Sequence, residues 1–110
     1  NDPNSIPPND VIYNILLFAC LKTENHYRAD YWFNKMIARG IPPTIETYTT
    51  LIATKAKCGM HTKAMAIGRA LLEGKEGAHL KLDREGERRI IEVVLAGLAY
   101  LGYSALATQW

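Results

Sequence analysis

Three pairs of side chains with the same chemistry recur at one interval in this 110-residue chain. Lys22 and Lys57, His26 and His61, and Arg28 and Lys63 are each 35 residues apart. Such residues suit two kinds of chemistry: imidazoles hold metals, and spaced cations meet a polyanion. His26 and His61 are too far apart in sequence to form a metal-ligand motif, and they read as surface or packing residues. Lys22 and Lys57 fall near the C-termini of expected helices, where the macrodipole also favours a cation. Arg84, Arg88 and Arg89 form a basic cluster, but Glu85, Glu87 and Glu92 interleave with them. A solvated, salt-paired helix face is one reading of that cluster, and phosphate contact is the other. No nucleophile–base pairing is visible, and Gly74-Lys75-Glu76-Gly77 lacks the spacing of a phosphate loop. No catalytic residue, metal ligand or cofactor is assigned, and the chain is not read as an enzyme.

The interval itself identifies the elements that carry these residues. Ser5-Ile6-Pro7-Pro8-Asn9-Asp10-Val11-Ile12-Tyr13 and Gly40-Ile41-Pro42-Pro43-Thr44-Ile45-Glu46-Thr47-Tyr48 follow one plan at the same offset of 35. Leu16 and Leu17 align with Leu51 and Ile52, and Ala29 with Ala64. A fixed period of this size marks stacked supersecondary units. Paired prolines cannot continue a helix, so the Ile-Pro-Pro stretch is the seam between units. Asn9 or Thr44 then caps the helix that follows.

Hydrophobic content of 48% supports a core, and the net charge of +2 is only mildly basic. That permits a polyanion partner without requiring one. Cys20 and Cys58 fall in apolar patterns and are expected to be free and buried. No apolar run is long enough for a membrane span. The chain begins at Asn1 and stops partway through a unit, and is expected to be an excerpt of a longer one.

Apolar residues at helical spacing predict the elements. Tyr13, Leu16, Leu17, Cys20 and Leu21 give a helix over about 11–22. Asn25 caps a second, with Ala29, Trp32, Phe33, Met36 and Ile37 on one face and Gly40 as its stop. Tyr48, Leu51, Ile52 and Ala56 form the inner face of a third, ended by Cys58-Gly59. Ala64, Ile67, Gly68, Leu71 and Leu72 form that of a fourth. Asp83 is the candidate cap of a fifth, whose face is Ile91, Val94, Leu95, Leu98 and Ala99; Gly86 should weaken its first turn by about 1 kcal/mol relative to Ala. A turn at Leu101-Gly102-Tyr103 and a partner helix from Ser104 would follow. Leu16, Leu17, Phe33, Met36, Leu51, Ile52, Leu71, Val94 and Leu95 are expected to be largely buried. The fold class is all-α: an α-solenoid of stacked antiparallel helix hairpins. Its divisions are residues 1–10, the end of a preceding unit; 11–45; 46–82, with an altered loop; and 83–110, irregular and incomplete.

The motifs Val11-Ile12-Tyr13-Asn14-Ile15-Leu16-Leu17, Ala29, and Phe33 to Pro43, with Thr47-Tyr48-Thr49-Thr50-Leu51-Ile52 and Lys57-Cys58-Gly59 in the second unit, resemble the pentatricopeptide repeat family. The resemblance is good from Val11 to about Leu72 and poor beyond. The tetratricopeptide repeat, with a period of 34 and different landmarks, fits less well.

That resemblance implies a solenoid whose first helices line a concave face and read single-stranded RNA, one base per repeat. The readers would be the residues directly after each Tyr, Asn14 and Thr49, paired with the last residue of each repeat: Asn9 for the unit before and Thr44 for the first. The family prefers Asp or Asn at that last place, so Thr44 departs from it. Asp83 would serve the second unit. By the same resemblance Asn14 suits a pyrimidine and Thr49 a purine. Val11 occupies the place of an apolar wedge between bases. Glu46 stands at the equivalent place in the second unit, where its charge would repel phosphate. Lys22 and Lys57 fall where the family places phosphate-contacting lysines. Against this, Asn14 and Thr49 are also simply polar residues on the wet side of a helix.

Asp30-Tyr31-Trp32 is similar to a tripeptide that ends a deaminase domain in some members of the family. Here it falls within a helix, and no His-x-Glu or Cys-x-x-Cys accompanies it to hold zinc. The resemblance also implies a mitochondrial or chloroplast setting. The expected partners are single-stranded RNA, neighbouring repeats, or protein subunits of a larger organelle complex. The alternative function is a structural scaffold without base readout, as in a mitochondrial ribosome.

Overall fold

The computed structural model describes residues 9–75, 80 and 82–100, the last four of these as backbone alone. Five helices follow one another: α1 (Asp10–Lys22), α2 (His26–Ala38), α3 (Ile45–Lys57), α4 (His61–Leu72) and α5 (Arg84–Tyr100). The starts of α1 and α3, and of α2 and α4, are each 35 residues apart, as the sequence interval requires. From α3 to α5 the interval is 39, because a longer connection replaces the proline seam.

Each start and stop has a local cause. Asn9 Oδ1 accepts the Ile12 N–H at 3.1 Å, Asn25 Oδ1 accepts that of Arg28 at 3.2 Å, and Asp83 Oδ1 accepts that of Gly86 at 2.8 Å. Thr44 and Thr47 form a reciprocal capping box at the start of α3. α2 ends on Gly40 at φ +74°, with the Ile41 N–H donating to the Met36 carbonyl. α3 ends the same way at Gly59, and α1 on Glu24, the one non-glycine residue with positive φ among those described. This left-handed stop returns the chain antiparallel and satisfies carbonyls that the helix leaves open. Ile41, Pro42 and Pro43 lie between α2 and α3, outside any helix. The matching Ile6-Pro7-Pro8 lies outside the described residues, as do the expected turn at Leu101-Gly102-Tyr103 and the helix after it.

The helices stack as a solenoid in two layers. α1, α3 and α5 lie side by side, while α2 packs on α1 and α3, and α4 on α3 and α5. The core has two parts joined through α3. Leu17 and Cys20 of α1 meet Ala29 of α2 and Leu51 of α3. Tyr48, Ile52 and Ala56 of α3 meet Ala64 and Leu71 of α4 and Ile90 and Val94 of α5. Among the described residues no helix is long and apolar enough to cross a membrane.

Several expected core residues sit less deeply than their spacing suggests. Leu17, Met36, Leu51, Ile52, Leu71 and Val94 are buried, but Leu16, Phe33 and Leu95 are half-buried and Ile37 is exposed. Phe33 lies at the rim of the α2–α3 contact, its ring edge-on to Tyr48 with centroids 5.7 Å apart. A Phe33→Ala loss of about 3–5 kcal/mol, which requires full enclosure, is therefore not expected. α5 is rotated by one position from its expected face: Gly86, Ile90 and Val94 point inward, and Ile91 is half-buried. Gly86 is there because the helix comes close. A Cβ would lie 3.0 Å from Leu82 Cδ2 and 3.2 Å from Ile45 Cδ1. Alanine would meet these side chains, so the simple propensity gain does not apply.

Both cysteines are free, as expected, but only Cys20 is buried; Cys58 is half-buried, its thiol donating to the Glu24 carbonyl at 3.2 Å. Burial pushes the Cys20 thiol pKa up, against an opposing pull from Arg28. Reactivity needs both thiolate and access. A maleimide at mildly alkaline pH should therefore modify Cys58 well before Cys20, read by mass spectrometry of the native chain. Equal rates would contradict the packing of α1 on α2.

Candidate nucleic-acid interface

The open side of α1 and α3, away from α2, carries a groove of about 690 Å³. It exists because α1 is apolar on both faces. Tyr13, Leu17 and Cys20 are buried against its neighbours, while Val11, Ile15 and Phe18, at helical spacing on the opposite face, are 57%, 63% and 44% exposed. Lys22 continues that second row, its ammonium 5.4 Å from the Phe18 ring centre. Thr44, Glu46 and Thr50 form the α3 wall. The result is an apolar strip with a cation at one end and polar groups along one side.

Asn14 stands on that polar side and is tied to the start of α3. Its Nδ2 donates to Thr44 Oγ1 at 3.3 Å, and its Oδ1 accepts from Thr47 Oγ1 at 2.6 Å. The structure thus brings together four of the residues assigned from sequence: Val11, Asn14, Lys22 and Thr44 line one groove.

The other three lie elsewhere. Thr49 leans to the far side of α3, in a shallower pocket with Arg89, Glu92, Val93 and Ala96 of α5. Its hydroxyl donates back to the Glu46 carbonyl at 3.1 Å. Lys57 closes α3 as Lys22 closes α1, and is exposed. Asn9 is exposed and caps α1.

The charges sort themselves among neighbours. Arg88 is ion-paired to both Glu85 and Glu92, so this part of the basic cluster follows the salt-paired reading. Arg89 reaches across to Glu46 at 3.4 Å, which offsets the negative charge in the second wedge position. Both partners are exposed, so the pair contributes little to stability. Asp30 of the Asp30-Tyr31-Trp32 tripeptide pairs with Lys55 at 2.7 Å, and Trp32 packs partly buried against the α1–α2 core. These are packing roles. His26 is half-buried, with its ring 4.1 Å from that of Tyr27. Among the described residues no group of three or more His, Cys, Asp or Glu side chains could hold a metal ion.

Sequence reasoning missed Ile15, Phe18, Thr47 and the pairing of Arg89 with Glu46. The first two had a signal: α1 carries more apolar residues than one buried face can use. Thr47 and Arg89 had none, because their partners lie 33 and 43 residues away.

Residues 8–66, just over half of the chain, match the PPR repeat family. A stretch of 54 residues, 49% of the chain, is 41% identical to a chloroplastic pentatricopeptide repeat-containing protein of Arabidopsis thaliana. That stretch spans only 7% of the length of the Arabidopsis protein.

Proposed function

The chain belongs to the pentatricopeptide repeat family, and from that premise we propose that it binds single-stranded RNA in an organelle along the open face of α1 and α3. The repeats are 11–45 and 46–82, with 1–10 ending a preceding one and 83–110 an irregular third. The observation that carries the proposal is the Asn14–Thr44 hydrogen bond, at 3.3 Å, beside the exposed Val11 side chain and in one groove with Lys22. An amide at this place offers hydrogen bonds to a base edge, an apolar strip receives base faces, and a lysine meets phosphate. The chloroplastic relative supports an organelle setting. Thr49 is the weaker second reader.

The test uses the full-length chain and short RNAs in which one nucleotide at a time is varied, read by fluorescence anisotropy. Asn14→Ala should reduce the preference among bases at a single position by about 2- to 10-fold, the size of one hydrogen bond. The ratio between bases cancels any loss of folded protein. Lys22→Ala should weaken every RNA alike and lower the slope of log K against log salt by about 0.7. An Asn14 variant with unchanged preference removes base readout here.

A scaffold subunit held in a large organelle assembly is the second reading, favoured by the irregular interval of 39 residues from α3 to α5. A protein chain filling the groove in that assembly would establish it.

A further inference from the structure

Thr47 is fully buried and is not among the residues lining the α1–α3 groove, yet it holds the Asn14 side chain. Four polar atoms form a closed ring: Asn14 Oδ1, Thr47 Oγ1, Thr44 Oγ1 and Asn14 Nδ2. The two threonine oxygens are 3.1 Å apart. The Thr44 backbone N–H can only donate, and it does so to Thr47 Oγ1 at 2.9 Å. The 2.6 Å contact from Thr47 Oγ1 to Asn14 fits O–H···O geometry and is shorter than an amide N–H···O bond. Thr47 therefore donates to the Asn14 carbonyl oxygen, and the amide NH₂ turns to Thr44.

The remaining bonds follow from counting donors and acceptors. Thr44 Oγ1 accepts from Asn14 and from the Thr47 N–H, and its own proton goes to Thr47 Oγ1. Both hydroxyls are then saturated. The forked edge of the Asn14 amide is occupied by the two threonines, which leaves it one N–H and one carbonyl lone pair for a ligand.

We propose that Thr47 is a positioning residue for RNA recognition: it sets the orientation of the Asn14 amide, so that Asn14 alone, and not Thr44, bonds the base. This rests on the RNA-binding function proposed above. The start of α5 shows the contrast. There Asp83 takes the place of Thr44, and Gly86, with no side chain, takes the place of Thr47. Thr49, which follows Tyr48 as Asn14 follows Tyr13, instead lies against Arg89, Glu92, Val93 and Ala96 further along α5 and donates its hydroxyl to the Glu46 carbonyl.

The test compares Thr47→Val, which keeps shape and removes the hydroxyl, with Thr47→Ser, which restores it. Each is measured in the full-length chain against RNAs varied at one nucleotide. Thr47→Val should reduce base preference at the Asn14 position about 2- to 10-fold, with other positions unchanged, and Thr47→Ser should recover it. If Asn14→Ala loses the preference while Thr47→Val keeps it, Thr47 has no such role and base reading by Asn14 stands. If Asn14→Ala also keeps it, base reading at this position fails and the inference with it. Should Thr47→Val not fold, the RNA-free wild-type chain decides. The Asn14 side-chain amide should exchange with water more slowly than that of exposed Asn34 by NMR, and equal rates would overturn the ring.

Discussion

Replacing Ile52 with Ala should cost about 2–5 kcal/mol of stability, the range for truncating an enclosed aliphatic side chain. Ile52 is fully buried on α3 and lies in the cluster that joins α3 to α4 and α5. α3 also packs on α1 and α2, so it contacts each of the four other helices. In a solenoid, stability is a sum of unit and neighbour terms. A cavity at Ile52 therefore weakens the contacts of α3 with both α4 and α5. Urea unfolding measures the loss. The control is Ile37→Ala on α2, 48% exposed, which should stay within about 0.5 kcal/mol of wild type. Comparable losses at the two positions would mean that the core is not centred on α3.

The same centrality explains what the sequence could show. The caps at Asn9, Asn25, Thr44 and Asp83, and the stops at Gly40 and Gly59, are each decided within a few residues, so local chemistry specifies them. The interval of 35 fixes which helices are equivalent, and with it the layer order. Depth of burial is less local. Leu16 and Phe33 have the right spacing, but each lies at the rim of a contact whose edge is set by helices elsewhere in the chain. On α5 the runs Ile90-Ile91 and Val93-Val94-Leu95 allow two phases one residue apart. Close packing of Gly86 against Ile45 and Leu82 selects one of them, and that partner is 41 residues away from Gly86 in one case.

The candidate site divides in the same way. Val11, Asn14, Lys22 and Thr44 follow from the repeat register and come together in the structure. The hydrogen-bonded ring through Thr47 does not follow from it, since Thr47 is fully buried and its spacing marks only the cap with Thr44, not the bond to Asn14, 33 residues away. Its role rests on the contact of α1 with the start of α3, where Asn14 meets Thr44 and Thr47. α2 packs on both of these helices, and a polar contact joins it to α3.

That contact is the Lys55–Asp30 pair, and its two halves should respond differently to removal. Lys55 Nζ lies 2.7 Å from Asp30, with the lysine side chain 6% exposed and the aspartate 46%. Asp30→Ala leaves an ammonium buried without its counter-charge, which costs about 3–5 kcal/mol in a fully enclosed pair. Asp30 is half open to water, so water can replace part of the lost partner, and about 2–3 kcal/mol is expected. Lys55→Met keeps the apolar stem and removes the buried charge, leaving an exposed carboxylate that water solvates. It should stay within about 1 kcal/mol of wild type or gain stability. Urea unfolding of the two variants, with the double variant to close the cycle, decides the matter. A larger loss for Lys55→Met than for Asp30→Ala would show that the pair contributes net attraction across the seam, rather than simply neutralising a lysine that packing has enclosed.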